Sequence, residues 1–180
     1  MEKIEKIIIT GKSGSGKDFL LRKLSKKGLK VSTKTTTRPK RQKEIQSIDY
    51  NFITKEEFNL LLNENKFICH QYFEVTNDSG EKETWFYGLT KEDFNRSQAF
   101  IMTPGEINQI PNEIRKDLFI VYLDIDRSIR ENRIINRQDK NDSVKRRLDA
   151  DEIDFKGFDD YDLKITDPEF DVDMVWDLMD

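Results

Sequence analysis

The sequence has little of what disulfide-bonded, secreted or membrane proteins require. It holds one cysteine in 180 residues, which excludes a disulfide within the chain. Its start, MEKIEKIIIT, offers only a short apolar stretch before a glycine-rich segment, too short for a secretory signal or a membrane span. We therefore expect a cytoplasmic protein with no membrane partner.

Histidine is equally scarce, and its position argues against a metal or nucleophilic site built from cysteine and histidine. The single histidine, His70, directly follows the single cysteine, Cys69, on a predicted strand. Side chains of adjacent strand residues point to opposite faces, so these two cannot easily form a pair. We interpret both as structural or pocket-lining residues, not as a metal or nucleophilic site.

Charge is abundant and unevenly distributed. Residues 11–48 hold twelve Lys and Arg against two acids, whereas residues 149–180 hold two Lys and thirteen acids. The basic charges surround a glycine loop and an arginine cluster rather than a stripe interleaved with aromatics, which favours small phosphorylated ligands over nucleic acid. Apolar residues interrupt the acidic segment at roughly helical spacing, so we interpret it as a solvated surface on ordinary secondary structure.

Strands and helices alternate along a chain of single-domain length, without internal repeats or low-complexity linkers. The patterns predict strands at 4–10, 29–33, 67–75, 83–87, 99–103, 118–123 and 163–165, and helices at 18–28, 54–63, 90–97, 126–137, 143–153 and the C-terminus. A polar, functional loop is expected at 34–48 and a turn at NDSG, residues 77–80. This alternation predicts an α/β fold with a doubly wound, mostly parallel sheet.

The segment GKSGSGKDF, residues 11–19, has the strand–loop–helix context of a phosphate-binding loop. Small residues let backbone N–H groups converge on phosphate oxygens, and the helix N-terminus adds positive potential. The nucleotide-binding residues predicted from this segment are Gly11, Ser13, Gly14, Ser15, Gly16, Lys17 and Asp18. The alternative is a tight glycine turn without a ligand.

Asp18 occupies the position where this motif carries Ser or Thr, whose hydroxyl ligates Mg²⁺. Mg²⁺ prefers hard oxygen ligands, and the strand ending at IMTP, residues 101–104, has no acid. We therefore predict that Asp18 is the metal ligand, directly or through one water. The alternative is a degenerate loop in which the carboxylate repels phosphates.

A second anion site is predicted in TTTRPKRQKE, residues 35–44, which places Arg38 and Arg41 in one loop just before DYNF at 49–52. Guanidinium forks suit phosphate because they donate two parallel hydrogen bonds and stay charged. On composition alone, a solvated basic loop is the alternative.

These segments, with FYG at 86–88 and an arginine-bearing helix pair near 126–148, resemble the guanylate kinase family in order and spacing over nearly the full chain. The resemblance implies a nucleoside monophosphate kinase that uses ATP and Mg²⁺. It also implies three parts: a P-loop core at about 1–33, 98–125 and 143–180, an acceptor-binding subdomain at about 34–97, and a helical lid at about 126–142.

By position, the resemblance implies that the acceptor's phosphate is held by Arg38, Arg41, Tyr50 and Tyr87, with Glu44 supporting that loop. The residues implied to stabilise the transferred phosphoryl group are Lys17, Arg133, Arg137 and Arg147. Arg130, Arg133 and Arg137 are spaced so that one helical face can present all three. The family match favours helix capping, rather than metal binding, for Asp126.

The sequence differs from the family mainly at the residues that would contact the nucleobase of the acceptor. Where the family reads guanine with Ser, Glu and Ser, this chain has Lys34, Cys69 and Leu89. The family's Asp-x-Asp strand end is replaced by IMTPGE at 101–106, and the segment 73–87 is longer than the usual tight turn. The resemblance therefore carries over the phosphate site but leaves the base open, and we do not expect GMP to be the best acceptor.

The leading hypothesis is an ATP-dependent kinase of nucleoside or deoxynucleoside monophosphates, working as a monomer or homodimer. One alternative is a non-catalytic module of the same fold that binds a phosphorylated peptide. Such modules usually lose the P-loop and lid arginines, which this sequence keeps. Another alternative is a P-loop ATPase, or a P-loop kinase of a different small phosphorylated metabolite.

Overall fold

The computed structural model describes residues 4–76, 80–136 and 144–179. In chain order the elements are β1 (Lys6–Gly11), α1 (Lys17–Lys26), β2 (Thr35–Thr36), β3 (Asn51–Phe52), α2 (Lys55–Asn63), β4 (Phe67–Thr76), β5 (Lys82–Thr90), α3 (Lys91–Arg96), β6 (Ala99–Ile101), α4 (Pro104–Ile107), α5 (Asn112–Arg115), β7 (Leu118–Leu123), α6 (Arg127–Asn136), α7 (Val144–Asp154), β8 (Leu163–Ile165) and α8 (Asp173–Trp176). The predicted α/β class is confirmed. The chain divides into two compact units, Met1–Val31 with Gln98–Asp180, and Ser32–Ser97.

The first unit is built on a four-stranded sheet in the order β6-β1-β7-β8, in which all three pairings are parallel. Its central strand β1 carries Ile7, Ile8 and Ile9, which are fully buried. Side chains of a strand alternate between faces, so three buried neighbours require cover on both faces of the sheet. Leu20 and Leu24 of α1 supply part of that cover.

The second unit is a mixed sheet in the order β3-β2-β5-β4, dominated by the antiparallel β4–β5 hairpin. Helix α2 begins at a capping box, in which Thr54 accepts from the Glu57 N–H and the Glu57 carboxylate accepts from the Thr54 N–H. Phe58 of α2 stacks on Phe67, with ring centroids 4.5 Å apart, and packs against Phe86. One face of this sheet is therefore covered by α2.

Several sequence-based boundaries are corrected. The strand predicted at 29–33 is a single parallel bridge between Val31 and Ala99, because one residue alone lies in pairing register there. The predicted loop at 34–48 contains the two-residue strand β2, which pairs with β5, and the C-terminal helix is reduced to α8. The short helices α4 and α5 were not predicted. The NDSG turn falls largely on residues 77–79, outside the described residues.

The capping role predicted for Asp126 is confirmed. Its carboxylate accepts hydrogen bonds from the N–H of Ser128, the second residue of α6, at 2.8 Å and from the Ser128 hydroxyl at 2.5 Å. These hydrogen bonds hold the pKa of Asp126 below its usual value. Among the helices of the described residues, none has the length and apolar character needed to cross a membrane.

Candidate functional site

The glycine loop between β1 and α1 has a backbone that only glycine can supply at two positions. Gly14 has φ of 77°, and a Cβ there would lie 2.7 Å from the Arg130 carbonyl oxygen. A Cβ on Gly11 would lie 2.7 Å from the carbonyl oxygen of Leu123. The third glycine, Gly16, caps α1 with φ of 104° and no side-chain hydrogen bond to the first turn. The loop is thus held close to its neighbours, with the helix N–H groups left for another acceptor.

Two side chains of the loop suit an anionic ligand. The Ser15 hydroxyl is buried and has no hydrogen-bond partner among the described residues. The Lys17 ammonium lies over the loop, where it donates to the carbonyl oxygens of Gly11 at 2.5 Å and Lys12 at 3.0 Å. A buried hydroxyl without a partner, a nearby ammonium and a helix N-terminus without a side-chain cap are donors of the kind that bind nucleotide phosphates.

The other residues predicted for phosphoryl transfer and metal binding are placed as follows. Asp18 is exposed in the first turn of α1, where a carboxylate is favoured by the helix dipole. Arg147 is half-buried on α7. Arg137 lies outside the described residues. The described residues contain no cluster of three or more His, Cys, Asp or Glu that could hold a metal ion, so Mg²⁺ at Asp18 would need phosphate oxygens and water to complete its shell.

Arg133 contacts the glycine loop directly. Its guanidinium donates to the carbonyl oxygens of Gly14 at 3.3 Å, Ser15 at 3.4 Å and Pro168 at 2.9 Å. Arg133 is thus held against the glycine loop, and its role in phosphoryl transfer stays a prediction.

The helical spacing predicted that Arg130 and Arg133 share one face of α6, but Arg130 is buried. Its side chain is only 1% exposed, and it donates to the Ile125 carbonyl oxygen at 2.9 Å and to Glu152 at 2.9 Å. A weaker hydrogen bond reaches the carbonyl oxygen of Ser13 at 3.4 Å. Arg130 is a buried charge that joins α6 to the glycine loop.

Asp151 and Glu152 of α7 were missed by the sequence reasoning, which placed the whole acidic segment on a solvated surface. Asp151 accepts from the N–H of Ser13 at 2.8 Å and from its hydroxyl at 3.2 Å. Glu152 accepts from Lys12 at 2.5 Å and from Arg130. The hydrogen bond from Lys12, followed by that from Arg130, holds the pKa of Glu152 below its usual value. No local motif signals these contacts, because they join residues 138 and 140 positions apart.

In the second unit, Arg38 and Glu44 form a paired fork. The Arg38 guanidinium is 5% exposed and donates to both carboxylate oxygens of Glu44, at 3.0 and 2.7 Å. Glu44 also accepts from the Arg41 N–H at 2.8 Å, so one carboxylate orders both arginines of the loop. Burial opposes ionisation of Glu44, but hydrogen bonds from Arg38 and Arg41 outweigh it and lower the pKa of that carboxyl.

Two tyrosines complete this cluster. The Arg38 guanidinium lies 5.4 Å from the centre of the Tyr50 ring, and the Tyr50 and Tyr87 rings meet edge to face at 6.0 Å. Burial raises the pKa of Tyr87 despite its hydrogen bonds with Arg38 and Thr36, so the hydroxyl stays protonated at neutral pH. The residues predicted to hold the acceptor's phosphate are therefore gathered around Arg38, just after β2.

Two of the positions that departed from the family, Cys69 and Leu89, lie on the same sheet face as Tyr87. Leu89 is two residues beyond Tyr87 on β5, and Cys69 of β4 pairs directly with Leu89. Cys69 and Leu89 are 1% and 0% exposed. Gln71 pairs with Tyr87 and thus shares this face, a neighbour that sequence reasoning did not single out. Lys34, just before β2, is half-buried and accepts the Asn51 N–H with its carbonyl oxygen at 2.8 Å.

Comparison with known protein families shows which family has this sequence and fold. The family model described as guanylate kinase matches residues 3–180. The chain belongs to the guanylate kinase family. The predicted family membership is thereby confirmed. The family is one of nucleoside monophosphate kinases.

Individual guanylate kinases resemble the chain over most of their length. The protein of Nostoc sp. is 30% identical across 91% of this chain and 82% of its own. The protein of Rickettsia felis is also 30% identical, across 92% of this chain and 86% of its own. The crystal structure of guanylate kinase from Anaplasma phagocytophilum has a TM-score of 0.64 at 17% identity, covers 98% of this chain and supports the fold.

Proposed function

We propose that the protein transfers the γ-phosphoryl group of ATP to a nucleoside or deoxynucleoside monophosphate, and that guanine is not its preferred acceptor base. The observation that carries this proposal is that hydrogen-bond donors and cationic side chains gather in two groups, each of which suits an anion. One is the glycine loop with Ser15 and Lys17, and the other is the Arg38–Glu44 fork beside Tyr87. An ATPase needs only the first site, whereas a kinase needs a second place for an anionic acceptor.

In this proposal the chain contributes alignment and charge neutralisation. Lys17 and the N–H groups at the start of α1 hold the donor's phosphates, while Arg38 and Tyr87 hold the acceptor's phosphate. Arg133, Arg137 and Arg147 offset charge on the transferred group. Phosphoryl transfer needs little covalent help, so these interactions suffice for catalysis.

Label transfer tests the proposed activity. ATP labelled in its γ-phosphate is incubated with Mg²⁺, the protein and one nucleoside monophosphate at a time. The expected result is labelled nucleoside diphosphate with at least one acceptor. Label released only as inorganic phosphate would point to an ATPase, and no turnover with intact acceptor binding would point to a binding module.

The base preference rests on the chemistry of Lys34, Cys69 and Leu89. Guanine presents N–H donors, and a carboxylate would accept them through charge-assisted hydrogen bonds of about 1.5–3 kcal/mol. A thiol is a weak acceptor and a leucine side chain accepts nothing. With Cys69 and Leu89 buried side by side, this end of the sheet face gives guanine's donors no carboxylate at those positions.

Replacement of Asp18 tests the proposed metal site. In Asp18→Ala and Asp18→Asn we expect a large upward shift in the Mg²⁺ concentration needed for ADP formation, about tenfold or more, because the ligand that draws Mg²⁺ to the phosphates is lost. ATP binding measured without Mg²⁺ should be equal to or tighter than wild type, since a negative charge has been removed. A control is Lys23→Ala, which removes a different exposed charge of α1. Wild-type turnover and Mg²⁺ dependence in either Asp18 variant would exclude it as the ligand.

A further inference from the structure

Two adjacent carboxylates of α7 contact the glycine loop without any role in the proposed chemistry. We call Asp151 and Glu152 the carboxylate clamp. Asp151 binds one end of the loop, through the N–H and the hydroxyl of Ser13. Glu152 binds the Lys12 ammonium at 2.5 Å, with only 15% of the Lys12 side chain exposed. Consecutive loop residues are thus tied to consecutive helix residues.

The clamp is joined to α6 through a buried charge. Arg130, 1% exposed, needs a counter-charge because an unpaired guanidinium is costly away from water. Glu152 supplies it at 2.9 Å, while Asp151 stands at 3.8 Å from the same guanidinium. Because Arg130 also contacts the Ser13 carbonyl oxygen, and its own backbone touches the Gly14 position, a change in Glu152 is transmitted to the loop.

The orientation of Ser13 shows what the clamp does for the loop. Its N–H points to Asp151, so this donor is committed to the protein, and its carbonyl oxygen is committed to Arg130. Because hydrogen bonds fix both the N–H and the carbonyl group of Ser13, they also restrict the backbone position of the residues that follow, Gly14 to Lys17. Preorganised donors bind phosphate more tightly because less order must be imposed on binding.

We propose that Asp151 and Glu152 are positioning residues that hold the glycine loop in its phosphate-binding conformation, acting through Ser13, Lys12 and Arg130. The inference rests on the proposed function in assigning the loop's ligand as the phosphates of ATP. The clamp sets the affinity for ATP without touching the nucleotide. It has no part in acceptor binding.

The test measures ATP affinity apart from turnover. Calorimetry with a β,γ-imido ATP analogue and Mg²⁺ is performed on wild type, Asp151→Asn and Glu152→Gln, with thermal melting of each. These isosteric changes keep the volume and some hydrogen bonds but remove the charge. We expect Kd to rise about tenfold in each variant, the loss of one charge-assisted hydrogen bond. KM for ATP should rise in parallel, with kcat at saturating ATP and KM for the acceptor near wild type.

Asp149→Asn is the matched control. Asp149 is on α7 as well, but pairs with Arg127 on the surface, where the two side chains are 50% and 44% exposed. Its Kd for the analogue should equal that of wild type. A lowered melting temperature with unchanged Kd in both clamp variants would overturn the inference, because the contacts would then only stabilise the fold. A wild-type Kd together with a wild-type melting temperature in both clamp variants would also overturn the inference. If wild type binds the analogue but transfers no phosphoryl group, the proposed function alone fails; if it does not bind, both fail.

Discussion

Replacing Arg38 with alanine is expected to lower kcat/KM for the acceptor by about 10²–10³-fold while ATP affinity stays near its wild-type value. Arg38 is the most buried charge of the acceptor cluster, at 5% exposure, and touches Glu44, Tyr50 and Tyr87. Its removal deletes a phosphate donor and also leaves Glu44 without its counter-charge. Both effects act on the acceptor's phosphate, so KM should rise and kcat should fall.

Three companion variants separate recognition from charge and folding. Arg38→Lys keeps the charge but loses the fork, and should recover only a small part of the activity. Lys40→Ala removes an exposed charge from the same loop and should behave as wild type. Arg41→Ala should also raise the acceptor KM. Unchanged acceptor kinetics in the Arg38→Ala and Arg41→Ala variants would contradict the assignment of the acceptor site.

The second large effect concerns the acceptor base. We expect GMP and dGMP to be poorer acceptors than at least one other nucleoside monophosphate, because the sheet face beside Tyr87 has Cys69 and Leu89 at the base positions. Loss of a carboxylate acceptor is worth about 1.5–3 kcal/mol, or roughly 10–150-fold in relative kcat/KM. Restoring the acid should therefore move selectivity toward guanine. The variant Cys69→Glu tests this directly, provided that its melting temperature shows that it folds.

Local signals in the sequence were enough to predict the glycine loop and the strand and helix on either side of it. Three isoleucines followed by a glycine loop and an amphipathic segment predicted β1, the loop and α1, because burial, φ and helical spacing are each decided by neighbouring residues. The same holds for Arg38 and Glu44, which are six residues apart and pair within one loop. The resemblance to a known family supplied the partners from more distant segments, including Tyr87.

What the sequence could not show depends on tertiary contacts between segments far apart in the chain. Helical spacing grouped Arg130 with Arg133, but only the packing of α6 against the glycine loop shows that Arg130 is buried. Asp151 and Glu152 lie in an acidic segment whose composition favours a solvated surface, and nothing within that segment indicates the loop residues they bind. Strands of two residues, such as β2, are too short to carry a period of two.

We propose a phosphate site like that of the guanylate kinase family combined with a different acceptor base, and competition among acceptors tests this most directly. An equimolar pool of ribo- and deoxynucleoside monophosphates, modified pyrimidines included, is given to the protein with limiting ATP and Mg²⁺, and each diphosphate is quantified. The account predicts that diphosphates form and that a nucleotide other than GMP or dGMP is phosphorylated fastest. A hundredfold preference for GMP or dGMP, about 2.7 kcal/mol, would contradict it and require another residue to read guanine.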